Sequence, residues 1–181
     1  MTVFLTEEPS MRVTLEGLIA RHFPLRVKAV DWMVIEYEGK SDLEGNISHK
    51  MRGWTYGNPL FVILRDADGG DCVALKRSLE EIALPTGGRF IVRIVCQELE
   101  SWFIADSHAV TTAYPDCQFT NDTAKYRNLD RLNNASQELH QLTRDRSKPG
   151  CAARIAPHME PARNRSRSFQ VLFATLQQLL A

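Results

Sequence analysis

Apolar runs alternate with stretches of helical periodicity through the first hundred residues of the chain. Four runs have the composition of buried strands, and they lie within residues 2–6, 25–36, 60–64 and 90–95. Between them, apolar residues recur at helical spacing in residues 11–19, 43–52 and 72–83. Strands that alternate with helices are typical of βα units. The pattern therefore predicts an α/β fold with a mostly parallel central sheet flanked by helices.

Helical periodicity also predicts which faces of the helices are buried. Pro9-Ser10 begins the first helix, whose inward face is Met11, Leu15, Leu18 and Ile19. The last helix carries Phe169, Leu172, Phe173, Leu176 and Leu180 on one side. Residues 99–104 are predicted to form a short buried helix. Residues 114–130 and 144–165 are rich in Pro, Asn, Asp and Arg, so they are predicted to be long loops.

The length and composition are those of an ordinary globular domain. A chain of 181 residues that is 44% hydrophobic can bury a sizeable core. We expect one domain over residues 1–181, with an α/β core in 1–106 and a helical, basic extension in 107–181 that packs on it. No stretch approaches the ~20 apolar residues of a membrane span, and the four cysteines lack C-x-x-C spacing. We expect a cytoplasmic protein with free thiols and no membrane association.

The formal net charge of zero conceals two parts of opposite sign. Residues 1–120 carry 12 basic and 17 acidic residues, whereas residues 121–181 carry 10 and 5. This is either ordinary fluctuation or an acidic catalytic half beside a basic tail that binds a phosphate-rich polymer. The candidates for phosphate contact are Lys40, Arg154, His158, Arg163, Arg165 and Arg167. His158 is also a candidate acid or base, and a surface or packing role stays open for each of the six.

Carboxylates follow three of the predicted strands at the point where each strand ends. They are Glu7-Glu8, then Asp66-Ala67-Asp68 with Asp71, and finally Glu98-Leu99-Glu100. Ligands bind at the carboxyl ends of the strands in an open α/β sheet. Acids gathered there repel one another and favour a divalent cation with oxygen ligands. The pattern predicts an Mg²⁺ or Mn²⁺ site formed by Glu7, Asp66, Asp68 and Asp71, with Glu98 or Glu100 holding a second cation or orienting a water.

Each acid also has a plainer interpretation. Asp71 precedes a helix and is a candidate N-cap, and acids before a helix favour its positive end. Asp66-x-Asp68 alternatively belongs to a Gly-rich surface turn. An EF-hand is excluded because Arg77 occupies the position of the bidentate Glu. A P-loop is excluded because Val34 stands where Lys40-Ser41 would need an upstream Gly.

Together these residues resemble the Toprim fold, which topoisomerases, DnaG-type primases and OLD-type nucleases share. Glu7 matches the family's catalytic Glu after the first strand, and Asp66 and Asp68 match its metal-binding Asp pair. Glu8 replaces the Gly that follows the family's Glu. More specifically, the chain resembles, over nearly its whole length, a bacterial family of Toprim-like proteins often encoded beside an ATPase. The shared stretches are residues 7–11, 38–43, 64–72, 98–102, 155–158 and 163–166.

The resemblance implies an Mg²⁺- or Mn²⁺-dependent endonuclease that cuts DNA or RNA. It also implies an AAA- or ABC-type ATPase partner, in a module suspected of defence against phage. Two alternatives stay open. Asp66-Ala67-Asp68-Gly69 also resembles the nucleophile loop of haloacid-dehalogenase phosphatases, although Gly70 stands where Thr is usual. The chain is otherwise a non-catalytic partner subunit that uses its acidic pocket for regulation.

Overall fold

The computed structural model describes residues 1–181, and a four-stranded parallel sheet lies at its centre. The strands are Thr2–Thr6 (β1), Trp32–Glu36 (β2), Leu60–Asp66 (β3) and Arg89–Val95 (β4). They are arranged in the order β2-β1-β3-β4, and every neighbouring pair is parallel. The predicted class, an α/β fold of the Rossmann-like or Toprim-like type with a central sheet flanked by helices, is confirmed.

Eight helices flank the sheet and form most of the second half of the chain. They are Pro9–His22 (α1), Lys40–Arg52 (α2), Cys72–Ala83 (α3), Glu100–Ile104 (α4), Ser107–Ala113 (α5), Ala135–Thr143 (α6), Lys148–Ile155 (α7) and Arg167–Leu180 (α8). None of these helices combines the length and the apolar character that spanning a membrane would require.

The sheet separates two apolar cores, because side chains along a strand point alternately to its two faces. Phe4 of β1 belongs to a core of 33 buried residues that includes side chains of α1, α4, α7 and α8. Val3 and Leu5 belong to a smaller core of 11 residues on the other face, under α2 and α3. All five residues of β1 are buried, as expected for an inner strand of a parallel sheet covered on both sides.

The predicted inward faces of the first and last helices are confirmed. Met11, Leu15, Leu18 and Ile19 of α1 are fully buried, and the five apolar residues predicted for α8 are buried as well. Residues 99–104 also form a buried helix, α4 with Leu99 before it.

The prediction of a loop over residues 144–165 is wrong in its central part, where α7 forms. Ser147 is the N-cap of this helix, and its hydroxyl accepts a hydrogen bond of 3.0 Å from the backbone N–H of Gly150. Pro149 lies in the first turn, where its missing N–H leaves no helical hydrogen bond unmade. Cys151, Ala152 and Ile155 are buried against the rest of the core.

Candidate metal and phosphate site

The parallel strands bring the predicted acids to one edge of the sheet. β1 pairs with β3, and β3 pairs with β4, all in parallel register. Glu7 and Glu8 therefore follow β1 beside Asp66, the last residue of β3, while Glu98 and Glu100 follow β4 on the other side of β3. The shared strand-end position that the sequence predicts for these acids is present in the structure.

Glu7 lies against the end of β3. Its Oε2 accepts a hydrogen bond of 3.2 Å from the backbone N–H of Asp66 and lies 3.6 Å from Nε of Arg65. The Arg65 guanidinium also binds the carboxylate of Glu44 on α2. Burial, and then the nearby charge of Asp68, raise the pKa of Glu7 above its ordinary value. Arg65 offsets part of this repulsion, and nothing in its sequence context predicts that role.

Asp66 and Glu100 are acidic side chains in the interior, at 4% and 2% exposure. Asp66 Oδ2 accepts a hydrogen bond of 3.2 Å from the backbone N–H of Leu99. Asp66 Oδ1 and both carboxylate oxygens of Glu100 are buried without a hydrogen-bond partner. Burial raises the pKa of both side chains, and Glu8 and Glu100 raise that of Asp66 further. Buried acceptors without a hydrogen-bond partner are costly in a folded protein.

Lys148 on α7 is a site residue that the sequence analysis did not identify. Its Nζ lies 3.4 Å from Oε2 of Glu8 and 3.6 Å from Oε1 of Glu100, so it bridges the first and third acidic groups. Although burial lowers the pKa of Lys148, Glu100 and Glu8 raise it above its ordinary value overall. The residue is 140 positions from Glu8 in a segment predicted to be a loop, and its only local signal is the Ser147 N-cap before it.

Asp68 and Glu98 line an open polar cleft at the same edge. The cleft measures about 410 Å³, and its walls are Asp68, Gly69, Gln97, Glu98, Asn133 and Asn134. Asp68 has a left-handed backbone with φ of 50°, and its carboxylate lies 3.7 Å from Nζ of Lys40. Glu98 accepts a hydrogen bond of 2.9 Å from the backbone N–H of Ser136 at the start of α6. Glu98 therefore borders the cleft, whereas Glu100 faces Lys148 in the interior.

Asp71 is the N-cap of α3, which the plainer interpretation of the sequence predicts. Its Oδ1 accepts hydrogen bonds from the backbone N–H groups of Val73 and Ala74, at 2.8 and 3.1 Å. These bonds lower the pKa of the Asp71 carboxyl. The geometry thus explains Asp71 without a metal ion.

The basic residues of the second half divide into separate groups. Arg163 binds the buried carboxylate of Asp106, at 3.2 Å, and the carbonyl of His158. Arg165 binds Asp122 and the carbonyl of Asn121. Arg154 lies over the ring of Tyr114, and Arg167 is the first residue of α8.

The acids at this edge of the sheet form the acidic cluster, which comprises Glu7, Glu8, Asp66, Asp68, Glu98 and Glu100. None of the four arginines contacts this cluster, and phosphate binding by them and by His158 stays a prediction. Lys40 is the basic candidate that does lie at the acids, through its contact with Asp68.

The acidic cluster fits a divalent cation in donor chemistry, because Mg²⁺ and Mn²⁺ prefer carboxylate oxygens. The buried oxygens of Asp66 and Glu100 that lack partners are donors of this kind. As the side chains lie, however, no three His, Cys, Asp or Glu residues are grouped closely enough to hold one ion. Lys40, Arg65 and Lys148 instead neutralise individual carboxylates. Binding of a cation would therefore require some of these side chains to move together.

Comparison with known proteins identifies a family but no activity. No curated protein matches the chain. One solved structure that the chain matches is the C-terminal region of the Xanthomonas campestris pv. campestris OLD protein, at 15% identity and a TM-score of 0.48, over 98% of this chain and 94% of that one. The family model described as "Domain of unknown function (DUF4276)" matches residues 6–177. The chain therefore belongs to the DUF4276 family.

Proposed function

We propose that this protein is a divalent-metal-dependent nuclease that hydrolyses phosphodiester bonds in DNA or RNA. The observation that carries the proposal is the pair of buried carboxylates, Asp66 and Glu100, beside Glu7 and Glu8. Asp66 Oδ1 and both carboxylate oxygens of Glu100 lack hydrogen-bond partners. Buried acids with raised pKa values at the carboxyl edge of a parallel sheet are typical of functional sites. The resemblance of Glu7 and Asp66-x-Asp68 to the Toprim motifs supports the same assignment.

The residues around the cluster have distinct proposed roles. Glu7, Asp66 and Asp68 would hold an Mg²⁺ or Mn²⁺ ion, which would polarise the scissile phosphate and activate a water. Glu98 borders the polar cleft and would orient a water or help to hold a second ion. Lys40 lies on the exposed side of the cluster, where its ammonium group can bind a phosphate oxygen.

The cleft favours a polymer backbone over a small apolar substrate. Its lining residues include no hydrophobic side chain, and it is open to solvent. The phosphatase alternative needs Asp66 as a covalent nucleophile. Asp66 is only 4% exposed, however, and the backbone N–H of Leu99 binds one of its oxygens. A buried carboxylate held in this way is better suited to bind a cation than to attack a phosphomonoester.

The test is cleavage of DNA and RNA by the purified chain with Mg²⁺ or Mn²⁺, compared with an Asp66→Asn variant. We expect metal-dependent cleavage by the unchanged protein and a loss of at least about a hundredfold in the variant. Asp116→Asn is the matched control, because Asp116 is an exposed carboxylate outside the cluster. Hydrolysis of a small phosphomonoester with no cleavage of either polymer would favour the phosphatase instead.

We further propose that the protein is the effector of an ATPase-coupled module in defence against phage. This rests on the resemblance to a family often encoded beside an ATPase. The regulatory alternative, a non-catalytic subunit of the same assembly, predicts association with the ATPase without metal-dependent cleavage.

A further inference from the structure

Two cysteine thiols meet between the turns that carry the acids. Cys72 is the first residue of α3, and Cys96 directly follows β4. Their sulfur atoms are 2.8 Å apart, although the residues are 24 positions apart in the chain. Both side chains are partly exposed, whereas Cys117 and Cys151 are buried elsewhere in the large core.

The backbone on both sides of the two thiols is fixed by cross-strand hydrogen bonds. The N–H of Ala67 donates to the carbonyl of Val95, and the N–H of Asp68 donates to the carbonyl of Gln97, each at 2.9 Å. The N–H of Cys96 donates to the hydroxyl of Ser168 at 3.3 Å. These bonds hold the two turns side by side and so place Cys72 next to Cys96.

We propose that Cys72 and Cys96 form a reversible disulfide. The bond would link the turn that follows β3, which carries Asp68, to the turn that follows β4, which carries Glu98. The short distance between the sulfurs and the partial exposure of both side chains carry this inference, which does not rest on the proposed function.

The chemistry balances with a peroxide as the oxidant. One thiolate attacks the O–O bond of hydrogen peroxide, which yields a sulfenic acid and one water molecule. The second thiol then attacks the sulfenic sulfur, so that the S–S bond forms and a second water leaves. Two molecules of a free thiol such as glutathione reduce the disulfide by exchange. The first forms a mixed disulfide with one cysteine, and the second attacks it, so that both cysteines return to the reduced state and glutathione disulfide leaves.

The disulfide is tested by peptide mapping of the full chain after treatment with hydrogen peroxide in the presence of EDTA. Free thiols are alkylated before digestion without reductant. We expect a linked peptide that joins Cys72 to Cys96 and disappears with dithiothreitol. It should be absent in Cys72→Ser and in Cys96→Ser and retained in Cys117→Ser. Absence of the intrachain link in the unchanged protein, or links only between chains, would overturn the inference.

Discussion

At the scale of single residues, replacing Asp66 tests whether its carboxylate has a functional or a structural role. Asp66→Asn keeps an acceptor for the N–H of Leu99, removes a buried charge, and gives the orphaned position an amide donor that faces acids. Because burial raises the pKa of Asp66, the folded state disfavours its charged form, and we expect the metal-free variant to gain unfolding free energy at pH 8.

Urea unfolding in EDTA measures this change, with Asp116→Asn as the exposed control. A loss of several kcal/mol in Asp66→Asn would show that the carboxylate stabilises the fold and would remove the main support for a metal site.

Lys148 occupies the position between Glu8 and Glu100 where a cation is needed. Lys148→Met removes a partner of a buried carboxylate, so we expect the free energy of unfolding of the metal-free protein to fall by about 1–3 kcal/mol. This range is lower than for a fully buried pair because Lys148 is 42% exposed. The same change leaves the cluster more negative, and Mn²⁺ should bind more tightly.

Calorimetric titration with Mn²⁺ checks the affinity. Lys125→Met is the control, because Lys125 pairs with Glu138 outside the cluster. Weaker Mn²⁺ binding in Lys148→Met would show that Lys148 supports the cation site and does not compete with the ion.

At the scale of secondary-structure elements, acids with raised pKa values lie at the start of α1, at the end of β3 and at the start of α4. Burial is the first cause of the shift in Glu7, Asp66 and Glu100. A carboxyl whose folded pKa is raised stabilises the protein below its unfolded pKa, and this contribution is lost as the pH rises through the folded value.

We therefore expect the melting temperature of the metal-free protein to fall between about pH 5 and pH 8. Mn²⁺ should raise it more at pH 8, where these acids are charged. Thermal scans with EDTA and with Mn²⁺ at both pH values test this. An equal effect of Mn²⁺ at the two values would mean that the ion does not bind at the carboxylates of Glu7, Asp66 and Glu100.

The elements that sequence analysis predicts best are those with long apolar periodicity. β1 and α1 follow directly from their patterns, and the strand-end position of Asp66 follows from β3. α7 was missed because it is short, begins at Lys148-Pro149-Gly150, and buries only small side chains and one Ile. The role of Lys148 depends on the packing of α7 against α1, which is a long-range contact that local periodicity does not contain. For Asp71 the sequence is ambiguous, because it is compatible both with a helix N-cap and with a metal ligand.

At the scale of the whole molecule, the basic second half is the predicted contact for nucleic acid. Arg154 and Arg167 are exposed, whereas Arg163 is anchored to Asp106 and its loss would also affect stability. We expect Arg154→Gln and Arg167→Gln each to weaken nucleic-acid binding by a similar factor for all sequences. Each should also reduce the slope of the logarithm of the binding constant against the logarithm of salt concentration by about 1. Binding isotherms at several salt concentrations measure the slope, with Arg77→Gln on α3 as the control. Unchanged slopes in both variants would mean that nucleic acid binds to a surface that does not include Arg154 and Arg167.

An acidic site that opens onto a solvent-accessible cleft requires control if it cuts nucleic acid inside a cell. The chain carries no P-loop of its own, because Val34 replaces the required Gly, so ATP-dependent control would come from a second protein. We expect the chain to co-purify with the ATPase partner that we propose, and ATP to change the rate of metal-dependent cleavage in the mixture. The comparison uses the chain alone, the mixture, and the mixture with Asp66→Asn, which should assemble normally but not cleave. Full cleavage by the isolated chain together with no association in the mixture would exclude an ATPase-controlled effector.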